Sequence, residues 1–218
     1  MTIIFLVTFI GLMGFGIILP LFPFYVERMG ASPEIITLTM AVFSLGQFVA
    51  APLWGRLSDS IGRKPVLILT LLGSGLSYVL LAYAPNLTVV ILSRMLSGLM
   101  AGNVSIAFAY VTDITDDSNR AAGLGKVSAA LGLGFMTGPA IGGLLAGNTV
   151  ENANYLLTAW AAAGINFLAM VAAIVFLKES LDAKKRKPFE GFSKIVELAT
   201  FTPAKSILPL VSCGLIFH

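Results

Sequence analysis

Residues 55–65 read GRLSDSIGRKP and carry four charged side chains, Arg56, Asp59, Arg63 and Lys64. The flanking runs Ile35–Trp54 and Val66–Ala84 hold no charge at all. A carboxylate and a guanidinium at close quarters form a strong charge-assisted pair, an ionic contact rather than a bond transferred. A second acid, Asp113, stands in the polar stretch AYVTDITDDSNRA (109–121), and one cation, Arg94, lies inside an otherwise apolar run. Enzyme chemistry finds no foothold here. Cys213 is the only cysteine and the single His218 ends the sequence, so neither a disulfide framework nor a cysteine or histidine metal site can be assembled. GLGFMTG places glycines at 132, 134 and 138, one position off the dinucleotide fingerprint and within an apolar run. GLGKVS lacks the Ser or Thr directly after lysine that a phosphate loop needs. Asn86-Leu-Thr88 forms a glycosylation sequon close to a membrane boundary.

The elements that must position these charges follow from hydropathy. With 57% hydrophobic and 11% charged residues, and a mean hydropathy of +0.91, the sequence predicts an all-α membrane protein. The apolar runs of about 20 residues are long enough to cross roughly 30 Å of hydrocarbon. They are apolar around the whole helix circumference, which a water-soluble helix is not, and they lack the period of two of a membrane barrel strand. Six spans are expected, at 3–26, 35–57, 65–84, 87–112, 122–147 and 155–177. The first has no basic leader or small-residue cleavage site and reads as a spanning helix rather than a signal peptide. A basic linker (178–205) and the start of a seventh helix (206–218) follow, giving a domain order of 1–177, 178–205 and 206–218. In the linker Phe189, Phe192, Val196 and Ala199 recur at helical spacing, a pattern shared by an interfacial helix and a plain connector.

One set of connections carries Arg56, Arg63, Lys64, Arg120, Lys126, Lys178, Lys184, Lys185, Arg186, Lys187, Lys194 and Lys205, and the opposite set only Arg28. Basic residues are retained on the cytoplasmic side, so the expected location is the cell membrane with a cytoplasmic N-terminus. A net charge of +3 is thereby explained by topology, and no nucleic-acid partner is expected. Asp59 and Asp113 then lie at the C-terminal ends of the second and fourth spans, where a carboxylate opposes the helix dipole at a cost of about 0.3–1 kcal/mol. Both call for a cation, and Arg63, Lys64 and Arg120 are nearby. Gly62 offers the positive φ that reverses the chain, Pro65 suits a first helical turn, and Gly55 would let another helix approach.

GRLSDSIGRKP resembles the loop signature between helices 2 and 3 of the major facilitator superfamily, G-x-L-x-D-x-x-G-R-K/R. GFGIILPLFP (14–23), SRMLSGLMAG (93–102), AYVTDITDDSNRA and GLGFMTGPAIGG (132–143) fit the same family in order, the last resembling the helix 5 signature of drug:proton antiporters such as tetracycline exporters. The resemblance implies two inverted three-helix repeats forming the N-terminal half of a twelve-helix fold. Its partners would be a small-molecule substrate, the lipid bilayer and a second six-helix bundle. It implies no cofactor, with the proton gradient as energy source. Asp59, Arg63 and Asp113, with the loop residues Gly55, Gly62 and Lys64, would form a latch to the second bundle that opens and closes during alternating access.

Arg94, about 10 Å along its helix by the rise per residue, would serve proton coupling. A cation at that depth costs at least roughly 2.5–3.5 kcal/mol and is expected to reach a wet cavity. Its helical face of Gly98, Ala101, Gly102 and Ser105 would pack closely on a neighbour. In helix 5, Gly134, Gly138, Pro139, Gly142 and Gly143 would govern bending and leakage; Pro20 and Pro23 permit a bend in the first span. One departure is plain: the exporters place an acid in helix 1 where this chain has Gly11, and Glu27, Glu34 and Glu151 belong to the outer face. The proton acceptor is then expected in the other half or at the rim, near Glu27. Phe15, Phe22, Gln47 and Met136 are the expected cavity-lining residues, because aromatic, thioether and amide groups suit permissive apolar recognition. The expected function is export of small hydrophobic or drug-like compounds in exchange for protons. The alternatives are a facilitator or symporter for a metabolite, or a non-transporting sensor or scaffold on the same fold.

Overall fold

The computed structural model describes residues 1–147, 153–186 and Pro188, and its regular elements are all helical. Among the described residues, six stretches have the length and apolarity to cross a membrane: Thr2–Arg28, Pro33–Ile61, Arg63–Ala82, Leu87–Ile114, Asp117–Ala146 and Tyr155–Phe176. The second and fifth extend several residues past the limits read from the sequence. Hydropathy marks the part of a helix that sits in hydrocarbon, whereas backbone hydrogen bonding carries the helix on into the polar interface.

Two spans are interrupted, so the elements are α1 (Thr2–Ile18), α2 (Phe22–Arg28), α3 (Pro33–Ile61), α4 (Arg63–Ala82), α5 (Leu87–Leu99), α6 (Asn103–Ile114), α7 (Asp117–Ala146) and α8 (Tyr155–Phe176). The first interruption, at residues 19–21, surrounds Pro20, which has no N–H to give, and Pro23 sits in the opening turn of α2. The second, at residues 100–102, has a cause outside its own helix. The Trp54 indole N–H donates to the carbonyl of Leu99, and the same indole lies against Gly102, where any side chain would collide with it. A side chain inserted into the helical ladder takes an acceptor from the backbone and breaks the run.

α1 packs along α7 and α8, α4 along α8, and α3 along α5. The α1–α7 seam is a glycine contact. A Cβ on Gly134 would stand 2.8 Å from the Phe9 carbonyl oxygen, one on Gly138 2.7 Å from the Gly16 Cα, and one on Gly142 would strike the Ile17 carbonyl. Gly143, next in sequence, faces open space among the described residues. The α3–α5 seam is built alike, with Gly98 against the Phe43 carbonyl and Gly46 beneath the backbone of Met95 and Leu99. Two apolar clusters form the core. One contains Ile4, Val7, Leu67, Leu71, Ile106 and Val127. The other contains Ile17, Phe22, Val26, Tyr78, Leu81 and Val90.

After α8 the chain stays on the bundle longer than the limit at 177 implies, since Leu177 and Leu181 are both buried. A short 3₁₀ turn follows at Ala183–Lys185. The interfacial-helix pattern at 189–199 and the seventh helix lie outside the described residues.

Candidate functional site

α3 and α4 are joined by a single glycine. Gly62 takes φ +114°, a conformation that L side chains rarely adopt, and places Arg63 at the first position of α4. From there the Arg63 side chain, only 7% exposed, reaches two helix ends. Its Nη2 pairs with Asp59 Oδ1 at 2.6 Å in the last turn of α3, and its Nε with Asp113 Oδ2 at 2.9 Å near the end of α6. Nη1 donates to Ser58 Oγ at 2.6 Å, and that hydroxyl donates to the Gly55 carbonyl at 2.7 Å. Both acids oppose the dipoles of their own helices, and Arg63 is a cation at the positive end of its own. Three charges badly placed for their helices thus neutralise one another. Asp59 remains the most open of the three, with 39% of its side chain exposed.

Glu179, just beyond α8, is a fourth member that sequence reasoning missed. Its Oε1 accepts from the backbone N–H of Arg63 at 2.8 Å and its Oε2 from that of Lys64 at 3.2 Å, so a carboxylate caps the start of α4. Gly62 supplies no capping side chain, and the carboxylate lies so close to its Cα that a Cβ there would collide with it. Oε1 also accepts from the N–H groups of Ser180 and Leu181. Ser180 Oγ donates to Asp113 Oδ2 at 3.2 Å, and the Tyr110 hydroxyl donates to the Lys178 carbonyl at 2.9 Å. The available signal was an acid directly after the last span, in LKESLD, facing a helix that starts without a cap.

Of the remaining rim residues, Lys64 donates through Nζ to the Ile174 carbonyl at 2.8 Å. Arg120 does not join the cluster; it pairs with Asp117 in its own first turn at 2.8 Å. Gly55 meets no neighbouring helix among the described residues and opens onto free space.

Arg94 departs from its expected surroundings. It is 4% exposed and lies under two rings, with Cζ 4.7 Å from the centroid of Phe22 and 5.6 Å from that of Tyr78. Its Nε and Nη2 have no hydrogen-bond partner among the described residues. The wet cavity expected around it is therefore replaced by a cation–π enclosure. The small residues on its face were free to pack on α3 because the long side chain turns the other way, toward α2 and α4.

Between the two apolar clusters lies a cavity of ≈ 270 Å³. Phe15, Phe43 and Phe135 form its aromatic wall, with Phe15 and Phe43 stacked at 5.1 Å. Gln47, Asn103 and Asn166 bring amides, and Ser74, Ser97 and Tyr78 bring hydroxyls. Gly11 forms part of the wall, and a side chain there would press on Leu71 and on the Asn103 amide nitrogen at 3.3 Å. Phe15 and Gln47 line this space, and Phe22 and Met136 lie outside it. Phe22 is buried beneath Arg94, and Met136 is 68% exposed on α7, while its neighbour Phe135 lines the cavity.

The sequence is 34% identical over 186 residues to the class C tetracycline resistance protein of Escherichia coli, covering 84% of this chain and 46% of that one. It is 33% identical over 187 residues to multidrug resistance protein 2 of Bacillus subtilis, covering 85% of this chain and 46% of that one. Among solved structures, the human organic anion transporter MFSD10 (TETRAN) matches with a TM-score of 0.74 at 28% identity, over 86% of this chain and 49% of that one. The chain thus spans about half the length of the curated relatives it matches. The sequence model of the Major Facilitator Superfamily matches residues 4–217, nearly the whole length. With the fold, the charged rim and this match in agreement, the chain belongs to the Major Facilitator Superfamily, a family of membrane transporters and not of enzymes.

Proposed function

We propose that this chain is the N-terminal half of a secondary transporter that exports small, largely hydrophobic compounds by alternating access, driven by the proton gradient. The observation that carries the reading is Arg63, bonded at once to Asp59 and Asp113 across two helix ends. Such a cluster joins helix ends without locking them, because Asp59 is open enough to exchange its partner for the positive end of a helix in a second bundle. Gly55 and its open surroundings on the same turn leave room for that helix. The relatives named for tetracycline and multidrug resistance support export as the direction and drug-like compounds as the cargo. The basic connections support a cytoplasmic rim, and hence a latch that closes the inner side.

In this mechanism the substrate enters the cavity between the bundles and meets aromatic walls and amides. Reclosure of the Asp59–Arg63–Asp113 cluster commits the molecule to the outward-facing state. Arg94 would serve proton coupling from behind the wall, through Tyr78. The proton itself is carried by an acid outside this cavity, since none of its lining residues is acidic. The test is efflux from proteoliposomes with the intact protein, comparing wild type and Asp59→Asn with and without an imposed proton gradient. We expect wild-type efflux to collapse with the gradient and the variant to lose at least tenfold in rate, at unchanged protein content in the membrane. Normal transport by Asp59→Asn would overturn the latch.

A second reading, a facilitator or symporter for a metabolite, is favoured by the glycine at position 11 and the absence of acids from the cavity. Gradient-independent flux in the same assay selects it.

A further inference from the structure

We infer that the cavity of this half selects uncharged or anionic amphiphiles and discriminates against organic cations. This rests on the transport reading above and adds the charge class of the substrate.

Three observations converge. The cavity lining, from Gly11 and Phe15 through Gln47, Ser74, Tyr78 and Asn103, contains no ionisable carboxylate and no other acidic group. Behind the Tyr78 wall stands Arg94, a guanidinium that stays protonated at any physiological pH and has no acidic partner among the described residues. At 4% exposure it is already sealed within this bundle, so an acid from elsewhere would have to displace Phe22 or Tyr78 to neutralise it. The third observation concerns hydrogen bonding. Asn103 spends its Oδ1 on the Val104 N–H at 3.0 Å, leaving Nδ2 as the free end, and that nitrogen borders the space that the missing side chain of Gly11 would fill. An N–H donor in that place serves carbonyl, ether or carboxylate oxygens.

The field of an unscreened charge persists in a low-dielectric interior. At roughly 10 Å and an effective dielectric of about 20, two like charges repel enough to change affinity by roughly tenfold. An anion gains by a similar factor. A neutral molecule is indifferent to the field and is held by the amides and by stacking on Phe15, Phe43 and Phe135.

The experiment uses the intact protein in proteoliposomes and one aromatic scaffold in three forms, carrying at the same position a primary amide, a carboxylate or a quaternary ammonium. KM for flux is measured for each, with competition in a thermal-shift assay as an independent readout of binding. The amide and carboxylate forms should show KM values at least tenfold below that of the ammonium form. Gln47→Glu, which puts a carboxylate on the lining at nearly constant volume, should bring the ammonium form to parity or better and weaken the carboxylate form. An ammonium KM equal to or lower than the others in wild type overturns the proposal while leaving transport intact. A preference that Gln47→Glu fails to move overturns the assignment of selectivity to this lining. Flux and binding of none of the three, by protein that remains monodisperse, overturns the transport reading and this inference with it.

Discussion

The bonds of one arginine explain why a charge cluster persists at the edge of an oily bundle. Arg63 is nearly buried, and its planar fork satisfies two carboxylates and a hydroxyl in directions that a lysine ammonium cannot reproduce. The pairing of Arg63 with an acid at each helix end was legible in the sequence, because Asp59 and Asp113 are both acids at the wrong end of an apolar run. Glu179 was not, because the backbone it caps lies 116 residues away and no local pattern records that distance. Replacing Glu179 by Gln keeps the shape and removes the charge at the start of α4. The expected cost is about 1 kcal/mol, that of losing a negative charge at a helix start and setting an NH2 against a backbone N–H. It should appear as a fall of about 2–4 °C in the detergent melting temperature. A larger fall than that of Asp59→Asn would show that the clamp at Glu179 is the more structural of the two; an unchanged melting temperature would remove it from the cluster.

Helices here are held by the residues they lack. The α1–α7 seam depends on Gly134, Gly138 and Gly142 because backbone atoms of α1 occupy the space where side chains would stand. Gly142→Val should destabilise by about 1–3 kcal/mol, the usual cost of overpacking. Gly143→Ala, with nothing near it, should be neutral or slightly stabilising through helix propensity. Thermal melts of both variants in one detergent check the contrast, and equal losses would mean that the seam is not where the structure puts it. The spacing of four made this row readable from sequence alone. The break at residues 100–102 was unreadable for the opposite reason. It contains no proline, and its cause is Trp54, a side chain from another span whose reach depends on the fold itself. The place of Phe22 beneath Arg94 was unreadable for a similar reason: within a helix apolar on every side, composition does not say which face turns inward.

For the molecule as a whole, the number of spans was legible from apolar length, and the direction expected of them rests on the side that bears lysine and arginine. The structure adds the layering, with apolar clusters on either side of a polar cavity. A cytoplasmic rim has a direct check in the intact protein. Single cysteines placed at Asp182 and at Ser32, in a background with Cys213 replaced, should react with a membrane-impermeant thiol reagent from opposite sides. Asp182 should label only in inverted vesicles and Ser32 only in intact cells. The reverse pattern would turn the latch into an outer one and invert the direction proposed for transport.

The Trp54 bond to Leu99 has a consequence for how the bundle can deform. It ties the second span to the weakest point of the fourth, where the backbone ladder is already open. A helix broken in its middle is a hinge, but a hinge pinned to its neighbour becomes a strut. The bond therefore couples any bending of the fourth span at residues 100–102 to the second span.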